Sequence, residues 1–190
     1  MNRTNKILFS ALLAGGSLAA QAQQLAFPDA QGWGRFAAGA RQGGAVYHVT
    51  NLNDSGSGSL RDAISQPNRF VVFDVAGVIN IKDRLVFKNN LYIAGQTAPG
   101  EGITVYGNGV SFSGADNIIV RHMRFRMGHK GSSGKDAAGI AYGQNMIFDH
   151  CSFSWGLDET FSINPDNKGK HPDYITISNC LMGQGLMHHS

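Results

Sequence analysis

Asn90-Leu91-Tyr92-Ile93, Asn117-Ile118-Ile119-Val120, Asn145-Met146-Ile147-Phe148 and Tyr174-Ile175-Thr176-Ile177 open four successive units whose starts lie 27, 28 and 29 residues apart. A repeat of that period marks a solenoid, in which each unit buries its apolar face only by stacking on the next. The units also align further along. Six positions after the last three starts come Met123, Cys151 and Cys180, and eight after come Phe125, Phe153 and Met182. Between them stand Arg124, Ser152 and Leu181, and just beyond them Arg126, Ser154 and Gly183. Alternation with a period of two predicts strands with one face inward. No ten-residue helical pattern separates the runs, so βαβ units are excluded. The fold class is therefore all-β, a parallel β-helix.

In such a coil, equivalent residues of neighbouring turns stack about 4.8 Å apart. Phe125, Phe153 and Met182 should form one internal column, and Met123, Cys151 and Cys180 another. The two cysteines are expected as free, buried thiols rather than as a disulfide. Asn90, Asn117 and Asn145 either form a side-chain amide ladder or are simply turn-favouring residues. Upstream, Ser59-Leu60-Arg61-Asp62-Ala63-Ile64 has apolar residues four apart behind a serine cap. A short helix there would cover the open end of the coil, whose unpaired strand edges invite aggregation. Asp54 to Gly58 reads as a loop.

The first 22 residues read as an address. Arg3 and Lys6 precede an apolar stretch from Ile7 to Ala20, and Ala20-Gln21-Ala22 suits a signal peptidase. A secreted or periplasmic location follows, with residues 23–190 as one β-helix domain expected to be incomplete at its C-terminal end. No later apolar run is long enough to span a bilayer. Arg3 and Lys6 are two of the sixteen basic residues, so beyond them the charge nearly balances the thirteen acidic ones. Nucleic-acid binding gains no support from that balance. Neither CxxC nor a Cys/His spacing suggests zinc.

Acidic residues recur at matching places. The unit starting at Asn117 reaches Gly128, then carries a polar insertion, His129 to Lys135, before Asp136. The unit starting at Asn145 reaches Gly156 and has Asp158 almost at once. If the insertion loops out, Asp136-Ala137-Ala138 stacks on Asp158-Glu159-Thr160. Two carboxylates about 5 Å apart on adjacent coils then repel, unless a cation lies between them or one is protonated. A hard, oxygen-liking ion such as Ca²⁺ resolves the conflict. Solvated turn acids are the other reading.

Asn145-Met-Ile-Phe-Asp149-His150-Cys151-Ser-Phe-Ser154-Trp155, followed by Asp158-Glu159-Thr-Phe-Ser162-Ile, resembles the central coils of pectate lyases. So does Asp173-Tyr-Ile-Thr-Ile-Ser-Asn179, and Val49 to Ile64 is similar to the N-terminal portion of bacterial members. The resemblance runs from about Phe27 to Ser190. It implies a right-handed, single-stranded β-helix and a monomeric, exported enzyme that cleaves α-1,4-polygalacturonate by β-elimination with Ca²⁺. It further implies that Asp136 and Asp158 are metal ligands. A third acidic ligand would fall on Ser162, a departure from the family pattern; Glu159 is the alternative donor, although alternation sends its side chain to the other face. The family's base is an arginine on a later coil, and the eleven residues after Asn179 contain neither Arg nor Lys. The catalytic residue is therefore unassigned.

Other residues receive plainer readings. Asp149 and His150 are expected in a structural, hydrogen-bonded role, with His150 sharing a column with His122 and Asn179. Arg121, Arg124 and Arg126 are expected to point outward from one coil, either solvated or touching an acidic polymer. His188 and His189 are candidate substrate contacts. A non-catalytic, polysaccharide-binding β-helix is the alternative function. A polygalacturonase is disfavoured, since no Asn-x-Asp with a later Asp-Asp and Gly-His-Gly is present.

Overall fold

The structure is a computed structural model that describes residues 23–186. The expected signal segment, residues 1–22, and His188 and His189 lie outside the described residues. After a 3₁₀ turn at Trp33–Phe36 come strand β1 (Ala45–Val49) and helix α1 (Leu60–Ile64). The first full coil holds β2 (Arg69–Phe73), β3 (Gly77–Asn80) and β4 (Leu85–Val86), and the second β5 (Leu91–Ala94), β6 (Ile103–Tyr106) and β7 (Val110–Ser111). The third holds β8 (Ile118–Arg121), β9 (Met123–Arg126) and β10 (Ala138–Ile140). The fourth holds β11 (Gly143–Asp149), β12 (Ser152–Ser154) and β13 (Phe161–Ile163), and β14 (Pro172–Ser178) and β15 (Leu181–Gly183) follow.

One strand of each coil joins each of three parallel sheets. Sheet A is β1-β2-β5-β8-β11-β14, sheet B is β3-β6-β9-β12-β15 and sheet C is β4-β7-β10-β13. The result is a right-handed parallel β-helix of about five turns. Leu91, Ile118, Met146 and Ile175 share one level, as the repeat requires. Phe125 stacks on Phe153 with ring centroids 5.2 Å apart, and Phe153 pairs with Met182. Ser59 caps α1 by accepting the Asp62 N–H, and Leu60, Ala63 and Ile64 enter the same core. Both thiols are free; Cys151 is buried, and its N–H donates to the Cys180 sulfur.

Corners between sheets need left-handed backbone, which asparagine tolerates better than most residues. Asn90, Asn117 and Asn145 have φ of 57, 57 and 58°. The amide ladder exists, but one coil earlier than expected. Asn117 Nδ2 donates to Asn90 Oδ1 at 3.1 Å, and Asn90 Nδ2 to Asn68 Oδ1 at 2.9 Å. At the next corner His122, His150 and Asn179 have φ of 54, 53 and 53°, and the two imidazoles stack 4.9 Å apart.

Residues 23–44 form a strap across the outer face of sheet A. Ala26, Ala30 and Ala37 pack against the outward-facing Ile119 and Ile147. The Gly34 N–H donates to Thr176 Oγ1 at 2.8 Å, tying the strap to β14. A Cβ on Gly34 would stand 2.0 Å from the Met146 carbonyl oxygen, so only glycine permits this approach.

Candidate metal centre

The acidic cluster lies at the turn from sheet B to sheet C, where the third and fourth coils run side by side. Strands β10 and β13 pair Ala138 with Phe161. The Ala137 N–H donates to the Glu159 carbonyl and the Leu157 N–H to the Lys135 carbonyl. Carboxylate oxygens of Asp136, Asp158 and Glu159 all come within 4.8 Å of one another.

The register differs by one residue from the expected stack. Ala138 sits level with Phe161 rather than Thr160, which sets Glu159, not Asp158, opposite Asp136. The Glu159 N–H donates to Asp136 Oδ1 at 3.3 Å. Hence Glu159 does not turn to the other face; its side chain joins the cluster, and strict alternation fails because the residues between Gly156 and Phe161 form a bend rather than a strand. Ser162 lies in the same site and donates its hydroxyl to Asp136 Oδ2.

The electrostatics show the strain of gathering three acids. Burial alone would raise the Asp136 pKa, but hydrogen bonds from Glu159 and Ser162 and the charge of Arg84 outweigh it and hold the carboxyl below its ordinary value. Glu159 is pushed the other way, first by its hydrogen bond with Asp136 and then by the charges of Asp136 and Asp158. The opposite shifts are those of two carboxyls that share a hydrogen bond beside a third negative charge, and a hard cation among them would relieve that repulsion. Asp158 and Glu159 are exposed and Asp136 is half-buried, so a hydrated ion has open access. All donors are oxygens, the set that suits Ca²⁺. Arg84 was not legible as a neighbour. Gly139 lets it approach: a Cβ there would lie 3.1 Å from Arg84 Nη2 and 3.3 Å from Asp136 Oδ2.

A second group, His122, Asp149 and His150, lies at the corner between sheets A and B. Asp149 is buried and its oxygens are already taken. Oδ2 accepts Arg121 Nε at 2.9 Å and lies 2.9 Å from His150 Nδ1. Oδ1 accepts Ser178 at 3.1 Å and Asn179 at 3.0 Å. Burial alone would raise this carboxyl, but these donors, Asn179 and His150 foremost, bring it down to about 2. The structural role fits. Arg121 therefore does not share a face with Arg124 and Arg126: it is paired across sheet A, and its guanidinium lies 4.0 Å from the Phe27 ring.

The low Asp149 pKa has a measurable consequence. A depressed folded-state pKa stabilises the fold above the unfolded value near 4, and that stability is lost as pH falls towards 2. The contribution is about 2 kcal/mol. Urea unfolding at pH 7 and at pH 2 should show Asp149→Asn losing less stability on acidification than the unaltered protein, by about that amount. Equal losses would contradict the network.

No family model matches the chain. It is 63% identical over 166 residues to Probable pectate lyase C of Aspergillus oryzae, covering 87% of this chain and 38% of the relative. It is 60% identical over 178 residues to Probable pectate lyase C of Aspergillus fumigatus, covering 92% of this chain and 41% of the relative. The chain thus spans about two fifths of the length of the curated relatives it matches. These relatives are fungal, and the likeness to bacterial members finds no support among them. Among solved structures, Jun a 1, the major allergen from cedar pollen, superimposes with a TM-score of 0.59 at 20% identity, covering 78% of this chain and 47% of that one. That likeness concerns the fold alone. No helix among the described residues is long and apolar enough to cross a membrane.

Proposed function

We propose that this chain is a pectate-lyase-type β-helix that holds Ca²⁺ at Asp136, Asp158 and Glu159 and serves the β-elimination of α-1,4-polygalacturonate. The observation that carries the reading is the convergence of three carboxylates from two coils, in a chain 60% or more identical to proteins named as pectate lyases. Export, a monomeric state and an acidic polysaccharide as partner belong to the same proposal.

The chain's own residues do most of the positioning. Ser162 and the Glu159 N–H fix the two oxygens of Asp136, leaving the exposed carboxylates of Asp158 and Glu159 to complete the oxygen set. Ser162 thus supports Asp136 from the place where the family has an acid. Bound Ca²⁺ supplies positive charge beside a uronate carboxylate, where negative charge gathers as the neighbouring C5 proton leaves. The family's arginine base belongs to a coil beyond Asn179, and no described residue is assigned that role.

Incubated with polygalacturonate and Ca²⁺, the full-length protein is expected to release unsaturated products that absorb in the ultraviolet, and a chelator should abolish them. A folded protein that binds polygalacturonate yet yields no such product is the non-catalytic binding module instead.

A further inference from the structure

We propose that Arg124 and Arg126 on the outer face of sheet B, with Lys82, Lys130 and Tyr106 beside them, bind carboxylates of an acidic polysaccharide, an inference that rests on the function proposed above. Strand register sets two outward columns there. Thr104, Arg124 and Ser152 share one level, and Tyr106, Arg126 and Ser154 the next. Both guanidiniums are held flat against the sheet by neutral partners. Arg124 Nε donates to Thr104 Oγ1 at 2.8 Å, and its Nη2 to the Glu101 carbonyl. Arg126 Nη2 donates to Ser152 Oγ at 2.8 Å, and its Nη1 to the carbonyls of Phe125 and Ser152 at 3.2 and 3.1 Å.

Neither arginine has an acidic partner among the described residues, whereas Arg61 and Arg121 are paired with Asp54 and Asp149. Two half-buried like charges sit side by side without a counter-ion. Burial first, and then the charge of Arg124, disfavours the charged form of Arg126. An arginine has five donors, so each side chain keeps some free for a ligand. Their geometry is already fixed, which lowers the ordering cost of binding a planar carboxylate.

Next to Tyr106 lies a cleft of about 370 Å³ lined by Asn80, Ile81, Lys82, Tyr106, Gly107 and Lys130. It adds two ammonium groups, neither of them in a salt bridge among the described residues, although the charge of Lys82 also acts on Asp54. Lys130 belongs to the insertion that leads from β9 to Asp136. A polymer with a carboxylate on every sugar could therefore place one at the acidic cluster and others along this basic strip. A neutral or fully esterified chain would gain nothing from it.

The test is the affinity of the protein for de-esterified polygalacturonate in Ca²⁺, measured for Arg124→Gln and Lys130→Gln, with Ca²⁺ affinity measured separately without sugar. Each variant should bind the polymer about five- to tenfold more weakly, with Ca²⁺ affinity unchanged and a shallower salt dependence. Lys130 is exposed in a turn outside the strands, so Lys130→Gln reads the surface even if Arg124→Gln disturbs the sheet. Variants that keep full affinity, in a protein that binds the polymer, overturn the strip and spare the proposed function. A protein that binds Ca²⁺ but no polygalacturonate overturns both.

Discussion

Asp136→Ala is expected to lower the affinity for Ca²⁺ by about a hundredfold, since loss of even an outer-shell partner of a metal ligand commonly costs ten- to a hundredfold. Asp136 is the hub of the cluster, touching Ser162, the Glu159 N–H and, through its charge, Arg84. Asp158→Ala removes an exposed carboxylate with fewer fixed partners, so its effect should be about tenfold. Neither residue belongs to the apolar core, and both variants should keep the β-helix. Calorimetric titration decides the matter. Unchanged affinity in both variants would place the ion elsewhere.

Phe153→Ala tests the coil itself. Phe153 is 1% exposed and faces Phe125 at 5.2 Å, Phe161 at 4.7 Å and Phe148 at 6.2 Å between ring centroids. Removing the ring leaves a cavity that neighbours fixed by three sheets cannot fill, at an expected cost of about 3–5 kcal/mol. Leu181→Ala is the control, because Leu181 is 77% exposed on β15 and should change stability by less than about 0.5 kcal/mol. Chemical denaturation of the two variants reads the difference. A Phe153→Ala loss as small as that of Leu181→Ala would mean the internal column does not bear on stability.

The coil was legible because its period shows directly in the chain: Asn90, Asn117 and Asn145 mark one corner, and Phe125 and Phe153 one column. The strap was not. Residues 23–44 have no periodicity, and their sole trace was the unbroken apolar runs Ile118-Ile119-Val120 and Met146-Ile147-Phe148. Such runs signal a sheet covered on both faces. Ile119 and Ile147 are the covered positions.

The acidic site was legible in its residues but not in its register. The insertion from His129 to Lys135 interrupts the repeat, so spacing could not choose between Asp158 and Glu159 as the residue level with Asp136. A one-residue slip reverses which side chain faces which way. Ser162, set down as a missing ligand, turned out to hold Asp136 in place. Arg84 enters from a coil two turns back, beyond the reach of any local pattern.

A crystal of the protein grown with Ca²⁺ tests the central claim most directly. One ion should refine with oxygens of Asp136, Asp158 and Glu159 at about 2.3–2.6 Å. An ion bound away from these three side chains, or three carboxylates that stay without one at saturating Ca²⁺, would contradict it.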